Sequence, residues 1–441
     1  MKNKTDMIHG PLFSSLLLYA IPLMFSGLLQ LMFNAADMAV VGKFTGSAAL
    51  AAVSAASPVS NLIVQLFMGL STGTNVFLAQ QLGAGNKTLF QKGVHTSMVS
   101  ALFFGVVLMT GGFVLSGSML VWLHTPASVI DDSLLYLRIY LLGIPSLLVY
   151  NFGSAVLRAC GDTRRPLLFM TLSGLMNVVL NLVFVIGFHG GVAGVSIATV
   201  ISETFSAGMV LYALIRTDQI YQLHRNALRI DWPVLKKILW IGVPAGIQGS
   251  AFSIANLLIQ SAINSFGPKV MAASAAAMNV DTFCYIGVDA LGQGILTFTG
   301  QNYGAGNKVR IRQMFWIAMS FGVILQLILG ITSYAFSDQV LSVFTSDPAV
   351  LSAGKQIMFP ICVFAFVNTT INIPFHIVRG MGHSVFPMIC TVLCVCVLRI
   401  LWIYTVFPLI PTVGGLYAAW PVTKGITSVF AIIYYYRLIA G

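Results

Sequence analysis

One block of this chain returns 221 residues further on, and that recurrence narrows the folds open to it. Phe77-Leu-Ala-Gln80-Gln-Leu-Gly83-Ala-Gly85-Asn86-Lys87 reappears as Phe298-Thr-Gly-Gln301-Asn-Tyr-Gly304-Ala-Gly306-Asn307-Lys308. The same offset carries Gly46 to Gly267, Arg158 to Arg379, Pro166 to Pro387 and Gly194 to Gly415. Near the start it lengthens by one, taking Pro22 to Pro244 and Asn34 to Asn256. A repeat of nearly half the 441 residues far exceeds the ~20–50-residue units of solenoids and propellers. Two large related halves suit a transporter, in which a path between similar bundles opens alternately to each side.

Composition turns that into a membrane protein. Only 8% of residues are charged and 57% are hydrophobic, where a soluble domain carries about 25% charged. Apolar stretches near or above the ~20 residues of a bilayer crossing recur throughout. Twelve helices are expected. In the first half they lie near 14–37, 54–81, 93–122, 134–157, 167–188 and 193–215. In the second they lie near 238–262, 273–301, 313–336, 355–378, 385–407 and 414–436. The first is a retained span and no signal peptide, being longer than a 7–15-residue apolar core and carrying Gln30 and Asn34. The expected organisation is a six-helix lobe over 1–222, a cytoplasmic linker over 223–237 and a second six-helix lobe over 238–441.

Charge placement gives the topology. Seventeen of the 23 Lys and Arg, among them Lys2, Lys4, Lys87, Arg158, Arg225 and Arg379, fall in one alternating set of loops and termini. Lys43, Arg138, Lys269 and Lys355 occupy the opposite set, and Arg399 and Lys424 lie inside spans. The positive-inside rule then places both termini and the middle linker in the cytoplasm, and the expected location is a bacterial inner membrane. Six spans per half make the repeats parallel. The net charge of +11 is this topology signal and no nucleic-acid stripe, because aromatics are not interleaved with the bases. The six cysteines lie in or beside spans and read as buried thiols.

Four carboxylates fall within spans: Asp37, Glu203, Asp281 and Asp289. Each costs at least ~2.5–3.5 kcal/mol to insert, so each is a functional candidate. Asp37 shares a helical face with Gln30 and Asn34. The fifth helix offers Asn177 and Asn181 one turn apart, and the sixth carries Ser196, Thr199, Glu203 and Ser206. In the eighth, Asp281, Tyr285 and Asp289 share a face, and the tenth repeats the pattern with Asn368, Asn372 and His376. The competing reading is that such stripes only hydrogen-bond helices together, and that Arg399 and Lys424 neutralise Asp281 or Asp289 in structural ion pairs. Gly83-Ala-Gly85-Asn86-Lys87-Thr88 lacks the spacing of a phosphate loop. Asp131-Asp132 and the scattered His189, His376 and His383 make no metal set. No nucleophile or metal constellation points to an enzyme.

The chain resembles the multidrug and toxic compound extrusion (MATE) family along essentially its whole length. The resemblance rests on Ala20-Ile-Pro22, on Asn34-Ala-Ala-Asp37 with Val41-Gly42, and on the doubled Gln-x-x-Gly-Ala-Gly-Asn-Lys loops. Arg158-Ala-Cys-Gly161-Asp162-Thr163 with Pro166, and Arg379-Gly-Met-Gly382-His383-Ser384 with Pro387, extend it. The resemblance implies an all-α membrane protein of twelve transmembrane helices in two parallel six-helix repeats. It implies cation-coupled antiport of a small-molecule substrate by alternating access, in a monomer that needs no cofactor beyond coupling H⁺ or Na⁺. Carried over by position, the cation site comprises Asp37, Asn177, Asn181 and Thr199. Several family members have Asp where this chain has Asn181. A Glu of the seventh helix in another branch has no counterpart in Gly249-Ser250-Ala251-Phe252. The expected substrate cavity takes in Asn34, Glu203, Asp281, Tyr285, Asp289 and Asn372, whose acids favour amphipathic cations. The alternative is a flippase for a lipid-linked oligosaccharide, which would call for more cavity cations than Arg399 and Lys424 supply.

Overall fold

The computed structural model describes residues 6–123 and 125–440, so Lys2 and Lys4 of the charge tally lie outside the described residues. Those residues form helices joined by short turns, with no strand among them. The first half runs α1 Leu12–Val40, α2 Ser47–Gly83, α3 Lys87–Trp122, α4 Ile130–Ala159, α5 Arg164–Asn181 and α6 Gly191–Ile215. The second runs α7 Trp232–Asn264, α8 Pro268–Gly304, α9 Lys308–Ala335, the short α10 Ser337–Ser342, α11 Pro348–Met358 and α12 Phe366–Gly380. It closes with α13 Val385–Cys390, α14 Leu398–Thr405, α15 Val413–Tyr417 and α16 Ala419–Ala440.

The sequence repeat is reproduced down to single backbone angles. Gly85 and Gly306 both leave their helices at positive φ, +67° and +72°, a conformation that costs glycine nothing. The next residue then caps the following helix: the Asn86 side chain accepts from Leu89 N at 3.0 Å, and Asn307 accepts from Arg310 N at 3.2 Å. Such a cap satisfies one of the four orphan N–H groups of a helix start. Gly46 with Gly267, and Gly161 with Gly382, are likewise matched pairs at positive φ.

Several helices begin earlier than hydropathy suggests. α2 starts at Ser47 and α8 at Pro268, because Ala48-Ala-Leu-Ala-Ala-Val53 and Ala272-Ala-Ser-Ala-Ala-Ala277 are strong helix formers without being strongly apolar. α7 starts at Trp232, so the end of the 223–237 linker is helical. The tenth expected helix is broken: α11 and α12 meet at a 42° bend. Pro360 sits in the wide π-helical turn Phe359–Val363 between them, and a proline removes the N–H that would continue the ladder.

Among the described residues, ten helices are long and apolar enough to cross a bilayer, and the bent pair makes eleven. α8 has the length, with 37 residues, but Asp281, Asp289 and its many small residues dilute its apolar character. Large side chains point outward: Trp122 is 79% exposed, Tyr404 77%, Val343 80% and Leu409 80%. Many more large apolar side chains are exposed along the spans themselves, among them Phe103, Val114, Ile328 and Ile433, far more than a soluble surface carries. This is a polytopic membrane protein.

The chain divides into two compact units. The first contains Phe25–Val243; the second contains Met7–Met24 and the chain from Pro244 onward. The division runs through α1 and α7. The first unit is cored by Phe77, Phe90, Leu148, Phe152, Val210 and Tyr221. The second has Tyr19, Phe298, Phe315 and Tyr435 at one end, with the Phe315 and Tyr435 rings stacked at 4.0 Å. Ile357, Met358, Tyr417 and Trp420 are packed at the other.

The linker before α7 is tied to α3. His95 Nε2 accepts from His224 N at 3.0 Å and Thr96 Oγ1 accepts from Asp231 N at 3.0 Å. Asp231 also pairs with Lys92 at 3.0 Å and accepts from Val234 N at the start of α7. Hydrogen bonding to Lys92 holds the Asp231 carboxyl below its ordinary value. Its contribution is therefore present above the ordinary aspartate pKa and lost as pH falls through the depressed one. Asp231→Ala should raise amide exchange across 216–231 at neutral pH by severalfold, and acidification below the depressed Asp231 pKa should erase the difference between variant and wild type. Equal exchange at neutral pH would show that the histidine and threonine contacts suffice.

Candidate functional site

In the first unit four side chains from three helices join into one hydrogen-bonded chain. The Val195 carbonyl accepts from Thr199 Oγ1 at 3.1 Å, and Thr199 Oγ1 accepts from Asn177 Nδ2 at 3.5 Å. Asn177 Oδ1 accepts from Asn181 Nδ2 at 3.2 Å, and the same nitrogen donates to Asp37 Oδ1 at 2.6 Å. The four residues carried over as a cation site thus meet in space. Asn181 is fully buried and its Oδ1 has no hydrogen-bond partner. A buried amide oxygen without a donor is costly in a protein interior, so the cluster presents an oxygen in want of a positive partner.

Local packing explains the meeting. Gly174 has no side chain, and a Cβ there would lie 2.0 Å from the Phe33 ring, so α1 lies directly on α5 one turn before Asp37. Ser173 Oγ donates to the Ser202 carbonyl at 2.6 Å, binding α5 to α6. Just past Asp37 and Asn181 both helices widen into π-helical turns, Val41–Thr45 and Leu182–Gly187, a distortion common at functional sites. Val40, Val41, Val53, Val185, Val192 and Val195 pack the outer end of the cluster.

Glu203, one turn further along α6 than Thr199, sits against α4. A Cβ at Gly143 would lie 2.5 Å from its Oε2, an oxygen that is buried and has no hydrogen-bond partner. Tyr136 and Tyr140 of α4, stacked at 6.1 Å, lie within electrostatic reach of it, and Tyr136 also within reach of Asp37. Asn34, three residues before Asp37, is exposed.

The second unit holds the remaining expected cavity residues in two groups. Asn372 Nδ2 donates to Tyr285 OH at 2.8 Å, His376 Nδ1 bonds the Asn372 carbonyl, and Gly292 gives both side chains room. Asp289 and Tyr285 lie within electrostatic reach of Arg379. Asp281 stands apart, near Lys424 and Arg399. The sequence leaves open whether these charges pair, and for Asp281 the structure gives proximity without contact. No pair within 4 Å joins Asp281 to either cation, in contrast to close pairs such as Lys92–Asp231 and Arg165–Asp162. Arg399 is instead 1% exposed, with its guanidinium 4.5 Å from the Trp420 ring centroid and 5.6 Å from that of Phe252. Aromatic faces stabilise such a cation without an acid.

Sequence reasoning overlooked some members of these groups. Arg379 counts as a loop charge by position, yet it is buried and bonds Gln248, which in turn donates to Thr391. Tyr136 and Tyr140 carry a legible signal, two tyrosines one turn apart in a span, but one that packing produces as readily.

Similar proteins agree with this architecture. The MatE family model matches residues 22–183 and again 244–405. The chain is 28% identical over 433 residues to the probable multidrug resistance protein YpnP of Bacillus subtilis, covering 96% of this chain and 92% of that protein. It is 27% identical to the probable multidrug resistance protein NorM of Thermotoga maritima, over 84% of this chain and 81% of that one. It is also 27% identical to a FAD transporter of Shewanella oneidensis, over 96% and 94%. The fold matches a MATE transporter crystallised in a bent conformation with a TM-score of 0.92 at 22% identity, over 99% and 97% of the two chains. The doubled family match falls on the same two halves that the sequence repeat marks out, and the chain belongs to the MatE family of multidrug and toxic compound extrusion transporters.

Proposed function

We propose that this protein is a cation-coupled exporter of amphipathic, positively charged small molecules, working by alternating access with H⁺ or Na⁺ as the coupling ion. The observation that carries the reading is the hydrogen-bonded chain Thr199–Asn177–Asn181–Asp37, which ends on one carboxylate beside a buried, unpartnered amide oxygen. A cation at Asp37 neutralises the carboxylate and offers Asn181 Oδ1 the positive partner it lacks. Coupling then requires only that the two access states hold this cation with different affinity. The charge distribution in loops supports a cytoplasmic location for both termini in a bacterial inner membrane. The protein is taken to act as a monomer.

Glu203 supports the substrate class. It is an embedded acid with an unpartnered carboxylate oxygen, and two tyrosines of α4 lie within electrostatic reach of it, a combination suited to a lipophilic cation. Asp281 and Asp289 are poorer candidates, because Arg379, Arg399 and Lys424 lie near them. Glu203→Gln should weaken binding of a lipophilic cation by ~10–100-fold, the worth of a charged hydrogen bond, and leave a neutral dye little affected. Equal loss for both compounds would assign Glu203 to structure.

The test of the whole reading is transport into proteoliposomes under imposed gradients. A cationic dye should move against its own gradient when either H⁺ or Na⁺ flows the other way, and not otherwise. Equal dye movement with all ion gradients collapsed would remove the coupling proposal.

A further inference from the structure

We infer that the cytoplasmic ends of α5 and α6 form a binding groove for one anionic phospholipid of the adjoining leaflet. A cavity of about 560 Å³ opens there, within the size range of small-molecule sites. Phe169 of α5 and Phe205, Met209 and Tyr212 of α6 form its walls, and Arg165 and Arg216 stand at its polar end beside Asp218. From Phe205 to Arg216 the groove follows eleven residues of the α6 line, about 16 Å at 1.5 Å per residue. One leaflet of the ~30 Å hydrocarbon core has that depth. The arginines therefore stand at headgroup level and the aromatic walls at acyl-chain level.

Two further features suit this occupant. Gly208 lies in the middle of α6, and a Cβ there would meet nothing within 4 Å. A mid-helix glycine costs roughly 1 kcal/mol against alanine, and here no neighbouring helix requires it; its missing side chain leaves the floor of the groove open. Arg165 is held in place, its Nε 3.1 Å from Asp162 Oδ2 and its Nη1 donating to Tyr221 OH at 3.4 Å. The Arg216 guanidinium lies 5.9 Å from the Tyr212 ring centroid. Arg165 is neutralised by Asp162, whereas Arg216 makes no ion pair within 4 Å with Asp218, so Arg216 is the guanidinium left to meet a lipid phosphate. Basic pockets between helices at the cytoplasmic surface bind anionic headgroups for this reason. The inference needs only the membrane setting and does not depend on the exporter reading.

The experiment reconstitutes the full chain in equimolar phosphatidylglycerol and phosphatidylcholine, re-purifies it, and quantifies the lipid retained by native mass spectrometry. Wild type should retain one lipid, enriched about fivefold in phosphatidylglycerol. Arg216→Gln should keep the lipid and lose most of the enrichment. Gly208→Leu should fill the floor and lose the lipid of either headgroup, while melting at or above the wild-type temperature. Inorganic phosphate at millimolar concentration should not displace it. Equal retention of the two lipids by wild type, undiminished retention by Gly208→Leu, or displacement by free phosphate would each overturn the assignment.

Discussion

Replacing Asp37 with asparagine should abolish gradient-driven export while the protein still inserts and folds. The two side chains are nearly isosteric, and the amide oxygen introduced by Asp37→Asn can still accept from Asn181 Nδ2. What disappears is the charge. A neutral amide cannot take up a proton and holds Na⁺ far less well, so the cycle loses the ion that distinguishes its two states. Loss of a charge-assisted contact alone is worth ~1.5–3 kcal/mol, on the order of 10–100-fold in ion affinity. The loss of coupled accumulation should be larger, because among the described residues no other acid joins the chain of Thr199, Asn177 and Asn181. Asn181→Ala and Thr199→Ala should give graded defects, with Asn181 the more severe because it touches the carboxylate. Accumulation by Asp37→Asn equal to wild type, at matched protein in the membrane, would move the coupling site elsewhere.

The second large effect is structural. Gly73 of α2 lies where the start of α7 crosses it. A Cβ at Gly73 would stand 2.3 Å from the Ile238 carbonyl oxygen and 2.8 Å from Gly242 N, and a Cβ at Gly242 would stand 2.8 Å from Leu70 Cα. The obstructing atoms are backbone, so no rotamer change relieves the clash. Small residues at membrane helix crossings allow this approach and the packing it provides. Gly73→Leu must push the helices apart, at the upper end of the overpacking range, ~3 kcal/mol or more. It should melt well below wild type in detergent or fail to purify as a monodisperse protein. Gly208→Leu is the matched control, since the same exchange there meets open space. Similar melting of the two variants would show that the α2–α7 contact contributes little.

The 221-residue recurrence and the scarcity of charge made the broad architecture legible, because both are properties of the whole chain that no single contact can reverse. The paired glycines and asparagines after α2 and α8 announced identical turns, since positive φ and N-capping are local demands of backbone geometry. Helix starts were less legible: alanine runs such as 272–277 lengthen a helix through propensity without raising hydropathy. The break between α11 and α12 could be suspected from Pro360 and not decided, since Pro22, Pro58, Pro145 and Pro244 all sit inside helices that continue.

The site divides in the same way. Spacing placed Asn177 and Asn181 one turn apart, and resemblance supplied Asp37 and Thr199 as their partners. Only tertiary packing, through Gly174 against Phe33 and Ser173 against Ser202, showed the four within hydrogen-bonding distance. Arg399 is the converse case. By itself the sequence determined that a cation lies within a span; only the folded structure decided that aromatic rings and Thr423 contact it while Asp281 stays beyond ion-pair distance. Periodicity and composition act along the chain and can be read there. The choice of partner for a buried charge is a competition among side chains that become neighbours only once the helices pack.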